Sequence, residues 1–206
     1  MSSISIIGLG NMAGALADRA LAGGNAVEII GRDPVKAKET AAALGGATVG
    51  TAGASPAGDI VVLAVPYASA VAVVSEYGDA LQGKVIIDIT NPVSPDSQGL
   101  VTPDGTSGAQ EIAKAAPAGA HVVKAFNTVF GHMLAQGSPL DVLIAGDDAE
   151  AKATVSAFIK SLGLKPMDTG PLAMARWLEG TGLVMIGLGR NGVGSFDFTL
   201  GVNTSA

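Results

Sequence analysis

The sequence predicts an α/β protein, a doubly wound parallel sheet with a small C-terminal helical extension. Two observations carry that expectation. Short β-branched runs alternate with Ala-rich segments of helical length, the signature of βαβ units whose strands are buried on both faces. The first apolar run, residues 4–8, opens at the start of the chain and leads at once into a Gly-containing turn and an Ala-rich segment, the order of strand, turn and helix that begins such a sheet.

In chain order, strands are expected at residues 4–8, 26–31, 60–65, 84–90, 121–126 and 140–145, with a very short one at 48–49 and a weaker one at 165–168. Helices fit between them at 12–22, 34–44, 68–77, 108–115 and 149–162. Asp33-Pro34 places a capping side chain before a proline at the first helical position, and Gly45-Gly46 supplies the stop. Asp147-Asp148 puts negative charge where the next helix dipole favours it. Residues 91–107 are rich in Pro, Ser, Gly and Asp, a long loop after a strand end, where a doubly wound sheet meets its ligands. After Gly170-Pro171 comes one longer helix, 172–188, then a Gly-rich turn and Ser195-Phe196-Asp197-Phe198-Thr199-Leu200.

A chain of 206 residues suits one well-buried domain with a small appendage. The net charge of -6, with 12 scattered basic residues, argues against a nucleic-acid partner. The absence of cysteine excludes disulfides, thiolate chemistry, Cys-ligated zinc and iron–sulfur clusters. Met1-Ser2-Ser3-Ile4 has no basic segment ahead of an apolar run, so no signal peptide is expected and the cytoplasm is the default location. The most apolar stretch, 60–74, is broken by Pro66 and Ser69 and falls short of the roughly 18–20 residues of a membrane span.

The turn Gly8-Leu9-Gly10-Asn11-Met12-Ala13 has the G-x-G-x-x-A pattern at the end of the first strand. In that context Gly10 lets the backbone approach a pyrophosphate, and the helix behind Ala13 points its amides at it, which is the fingerprint of a Rossmann dinucleotide fold. The second strand ends Gly31-Arg32 instead of in a carboxylate. A guanidinium there matches the 2′-phosphate of NADP(H), with Lys36 as a second positive charge and Asp33 assigned to capping. Ala64-Val65-Pro66-Tyr67 would pass beneath the cofactor, with Tyr67 either covering the adenine or ribose or packing as a half-exposed aromatic. Asn91-Pro92 and Ala125-Phe126-Asn127 put amide side chains at two further strand ends, near the expected nicotinamide. Residues 1–168 are thus expected to form the NADP-binding Rossmann domain, and 169–206 a small C-terminal helix and tail.

The ordered set Ile6-Ile7-Gly8-Leu9-Gly10-Asn11-Met12-Ala13, Gly31-Arg32-Asp33, Ala64-Val65-Pro66, Ile87-Asp88-Ile89-Thr90-Asn91-Pro92 and Val123-Lys124-Ala125-Phe126-Asn127-Thr128 resembles the NADPH-dependent oxidoreductases that include the coenzyme F420-dependent NADP reductases and the reductase domains of STEAP metalloreductases. The resemblance implies hydride transfer between NADPH and a deazaflavin (coenzyme F420) or a flavin, FMN or FAD. Such a step needs stacked rings and no protein acid or base, so neither a catalytic residue nor a metal ligand is assigned. By that analogy the acceptor lies near Asn91, Asn127 and the last helix around Met174 and Trp177, although Trp177 reads first as core packing. Lys124 reads as a positioned or snorkelling lysine, and His121 and His132 as structural. The same opening turn is similar to pyrroline-5-carboxylate reductases, which leaves imine reduction as an alternative, and a non-catalytic NADPH sensor as another. The apolar helix 172–188 serves either a homodimer or the cover of a sheet edge.

Overall fold

The structure, a computed structural model, describes residues 1–203. Eight strands form one sheet in the order β3-β2-β1-β4-β5-β6-β7-β8. They are β1 (Ser3–Ile7), β2 (Ala26–Gly31), β3 (Thr48–Thr51), β4 (Ile60–Leu63), β5 (Val85–Asp88), β6 (His121–Lys124), β7 (Asp141–Gly146) and β8 (Lys165–Asp168). The helices are α1 (Asn11–Ala22), α2 (Pro34–Leu44), α3 (Tyr67–Tyr77), α4 (Gly108–Ala115), α5 (Gly131–Ala135), α6 (Ala149–Ser161) and α7 (Ala175–Gly187). No helix among the described residues is long and apolar enough to cross a membrane.

Two apolar layers sandwich the sheet. Ile60 and Val62 of β4 join the core that holds Leu16 and Ala20 of α1 and Val155 and Phe158 of α6. Val61 and Leu63 join the opposite core with Ala70 and Val74 of α3 and Ile112 of α4. The alternation follows from the two-residue period of a strand, and burial of both sides explains why these strands read as unbroken apolar runs. Helix starts obey the sequence punctuation. Asp33 accepts from the amides of Val35 and Lys36, Asp148 from that of Ala151, and Gly45 closes α2 at φ +70°.

Three differences from the expectation have physical causes. First, the ladders of β4, β5 and β6 stop at Leu63, Asp88 and Lys124, two residues before the apolar runs do. Ala64 and Ala125 each keep one backbone bond to the neighbouring strand, and past them the chain turns away: the Asp88 carboxylate takes the Thr90 amide, and Phe126 turns to φ +61°. Second, β7 runs antiparallel to β6. α5 has five residues, about 7.5 Å of helix, too short to carry the chain back along β6 for a parallel return. Third, the expected helix 172–188 is a tight turn at Leu172–Met174, then α7, then one wide turn at Leu188–Gly192. Gly189 in that wide turn lies against the Phe196 ring, so any Cβ there would displace the tail.

On the side away from the strand ends that carry the glycine turn, one arginine ties several segments together. Arg19 of α1 is 8 % exposed and donates from Nε to Leu134 O of α5, from one terminal nitrogen to Leu162 O at the end of α6 and from the other to Ser138 O. Carbonyls at helix C-termini are unpaired and carry partial negative charge, so a guanidinium among them serves as a shared cap.

Candidate functional site

Register builds the site. Ile7 pairs with Ile30 and with Leu63, Leu63 with Asp88, and Asp88 with Lys124. The residues one step further, Gly31, Gly8, Ala64, Ile89 and Ala125, therefore form a line across the carboxyl edge of the sheet. Backbone bonds continue along it: Gly8 N to Ile30 O at 2.9 Å, Ala64 N to Ile7 O at 2.9 Å and Ala125 N to Asp88 O at 3.1 Å.

The two glycines of the turn do different work. Gly8 sits at φ +134°, and a Cβ there would collide with the Ala64 carbonyl oxygen; close packing of the turn on β4 requires it. Gly10 has extended backbone, and a Cβ there would meet no protein atom within 4 Å. The fold itself makes no demand for glycine at that position. The space lies at the N-terminus of α1, whose amides no side chain caps, a cradle that fits a pyrophosphate. Leu9 packs where a Gly31 Cβ would be, Met12 touches Gly131, and Ala13 is buried against the sheet. Asn11 is exposed.

At the end of β2, Arg32 and Lys36 are exposed, and neither side chain makes a hydrogen bond or ion pair among the described residues. Asp33 is engaged with the amides of α2 at 2.9 and 3.1 Å, as the capping assignment expects. Ala64 and Val65 are half-buried and Pro66 is exposed. Tyr67 packs its ring against Gly108 and donates its hydroxyl to Glu111, so it joins α3 to α4. Burial first, and then the Glu111 hydrogen bond and charge, raise its pKa above the ordinary phenol range, which keeps the hydroxyl a donor.

At the ends of β5 and β6 the two asparagines meet. Asn91 Nδ2 donates to Asn127 O at 2.8 Å, and Asn127 Nδ2 donates to Asn91 Oδ1 at 3.0 Å and to Leu178 O of α7 at 2.8 Å. Gly182 of α7 makes room for them, since a Cβ there would lie 2.5 Å from Asn91 Oδ1. Two buried oxygens at this place, Asn127 Oδ1 and Thr90 Oγ1, have no protein partner. Pro92 is buried and its carbonyl accepts from Val101, which closes the loop after β5. Ala125 is fully buried.

Lys124 is fully buried and does not snorkel. Its Nζ donates to Asp88 Oδ2 at 2.8 Å, Thr90 O at 2.6 Å and Glu179 Oε1 at 2.9 Å, which uses all three hydrogens of an ammonium. Glu179, from α7, also accepts from the Gly108 and Ala109 amides at the start of α4. Sequence reasoning missed Glu179 and the pairing of Asp88. One signal was available: Glu179 is the lone acidic residue in the apolar segment 172–188, and a carboxylate that such a helix buries needs a donor or cation beside it.

Trp177 is 64 % exposed, which corrects its reading as core packing. It falls with Val184 and Leu188 on the outer face of α7, because Leu178, Glu179, Gly182 and Met185 take the inner one. Met174 is half-buried. The histidines serve structure: His121 approaches Asp148 at 3.7 Å, and His132 stacks on Phe130 and meets Asp197 and Phe196 O of the tail. No group of three or more metal-ligating side chains occurs among the described residues.

Comparison with known proteins agrees with this geometry. Residues 3–92 match the family model of the coenzyme F420-dependent NADP oxidoreductases. The chain is 32 % identical over 180 residues to metalloreductase STEAP3 of Rattus norvegicus, covering 85 % of this chain and 35 % of that protein. It is 28 % identical over 144 residues to the F420-dependent NADP reductase of Methanocaldococcus jannaschii, covering 66 % of this chain and 64 % of that one. The chain thus spans about a third of the first relative and just under two thirds of the second. A crystal structure of a putative F420-dependent NADP-reductase from Arthrobacter sp. FB24 superposes with a TM-score of 0.87 at 26 % identity, covering 99 % of this chain and all of the other. An imine reductase from Aspergillus terreus, at 21 % identity and a TM-score of 0.71, shares the fold. The glycine turn, the Arg32 strand end, Asn91 and Pro92 all lie within residues 3–92, the part of the chain that is similar to the coenzyme F420-dependent NADP oxidoreductases.

Proposed function

We propose that the chain binds NADP(H) along the carboxyl edge of the sheet and exchanges hydride with a deazaflavin, coenzyme F420, or a flavin held against α7. The observation that carries the reading is the single line of strand ends, with an uncapped helix and open Gly10 at its centre, a free guanidinium at one end and two unpartnered buried oxygens toward the other. Bound NADP(H) supplies the hydride chemistry.

The chain's own residues bind and orient. The α1 amides and Gly10 hold the pyrophosphate, and Arg32 with Lys36 takes the 2′-phosphate. Thr90 Oγ1 and Asn127 Oδ1 offer acceptors for the carboxamide amino group, and the bonds that Asn127 Nδ2 donates to Asn91 Oδ1 and Leu178 O fix the Asn127 side chain in place. Hydride transfer requires ring proximity and exclusion of water, with no protein proton donor. Lys124 fits that account because its three hydrogens are engaged within the protein. Imine reduction would need a proton delivered to nitrogen, which Lys124 is not placed to give.

The test is NADPH oxidation, followed by nicotinamide absorbance, with coenzyme F420, FMN and FAD supplied in turn. Turnover with the deazaflavin or a flavin is the expected result and names the acceptor. Tight NADPH binding without turnover on any of the three overturns the hydride-transfer reading and leaves a sensor.

A further inference from the structure

The Asp88, Lys124 and Glu179 side chains are all 0 % exposed and form one hydrogen-bonded cluster. Every contact to its carboxylates comes from a donor. Asp88 Oδ1 receives the Thr90 amide and Oδ2 the Lys124 ammonium. Glu179 Oε1 receives Lys124 and the Ala109 amide, and Oε2 the Gly108 amide. Two carboxylates that receive only these donors, set against one ammonium, give the cluster a formal net charge of minus one. Burying a third ionised group is expensive, and an Asp–Lys pair alone would be neutral. The surplus charge therefore calls for a reason beyond holding α7 in place.

Thr90 and Asn91 follow Asp88 by two and three residues, and Thr90 touches the cluster directly: its amide donates to Asp88 Oδ1 and its carbonyl accepts from Lys124 Nζ. On the nucleotide reading proposed above, these are the residues at the nicotinamide end of the site. We propose that the surplus negative charge, contributed by Glu179, tunes the bound nicotinamide toward its oxidised form. The oxidised ring is a cation and the reduced ring is neutral, so a nearby anion favours NADP⁺ over NADPH and makes bound NADPH the stronger hydride donor. The α4 N-terminus offsets part of the field, yet removing the Glu179 charge still removes a full unit. For a ring roughly 7 to 10 Å from the Glu179 carboxylate, at an effective dielectric of about 20 to 40, one charge is worth a shift of about tenfold in the ratio of affinities. Glu179 thereby acts as a positioning and tuning residue that need not touch the cofactor.

The experiment measures dissociation constants of NADP⁺, NADPH and adenosine 2′,5′-bisphosphate for the wild-type chain, Glu179→Gln and Asp88→Asn. The expected result is a ratio Kd(NADP⁺)/Kd(NADPH) raised about tenfold in Glu179→Gln, unchanged binding of the ring-less bisphosphate, and persistence of the shift at high salt, since buried charges are weakly screened. Asp88→Asn removes the same charge from the other arm of the cluster and is expected to move the ratio in the same direction, so the inference stays testable if one variant does not fold. A ratio unchanged in the folded variants, with the bisphosphate still bound, overturns the tuning role and leaves the nucleotide site intact. Failure of the wild-type chain to bind the bisphosphate overturns the nucleotide reading itself.

Discussion

Replacing Arg32 with alanine isolates the preference for NADP(H) with little disturbance of the fold. Arg32 is exposed and its guanidinium makes no bond within the described residues, so nothing is orphaned when it is removed and the melting temperature is expected to hold. What is lost is a charge-assisted pair with the 2′-phosphate, worth about 1.5 to 3 kcal/mol. At about 1.4 kcal/mol per decade, Kd for NADPH rises roughly 10- to 150-fold. NADH lacks that phosphate and is expected to keep its affinity within about a factor of two. Lys36, one turn into α2, retains part of the attraction, so the lower half of the range is the better expectation for the single variant and the upper half for Arg32→Ala combined with Lys36→Ala. Titration calorimetry with both dinucleotides reads the difference directly. Equal losses for NADPH and NADH, or no loss for either, would refute the assignment of the phosphate to this strand end.

Two further outcomes are expected. Gly10→Val should fold normally, because a Cβ there meets no protein atom within 4 Å, and yet lose both dinucleotides; a folded variant with wild-type affinity in the same titrations would remove the pyrophosphate from the α1 N-terminus. Arg19→Met strips the shared donor from the Leu134, Ser138 and Leu162 carbonyls and should cost about 3 to 5 kcal/mol, a fall in melting temperature of roughly 10 °C for a chain of this size, whereas a loss below about 1 kcal/mol would show that water caps these helix ends equally well.

Much of this protein is legible before it folds. Short unbroken β-branched runs, Ala-rich segments between them, and Asp33, Gly45 and Asp148 at helix ends are local signals, each set by a few neighbouring residues. The glycine turn and Arg32 belong to the same class, since a strand end followed by a helix start positions both with no help from distant chain. The antiparallel turn of β7 was not legible, because it depends on where a short α5 leaves the chain in space. Nor was the outward face of Trp177, which is settled by whichever side of α7 finds the Asn91 and Asn127 pair. The clearest case is the Asp88, Lys124 and Glu179 cluster, whose members lie 36 and 55 residues apart in the chain. Local sequence determined the end of β1, the glycine turn that follows it and the start of α1. Only the tertiary structure decided which charges are buried together, because desolvation and pairing depend on neighbours that the chain brings from far away.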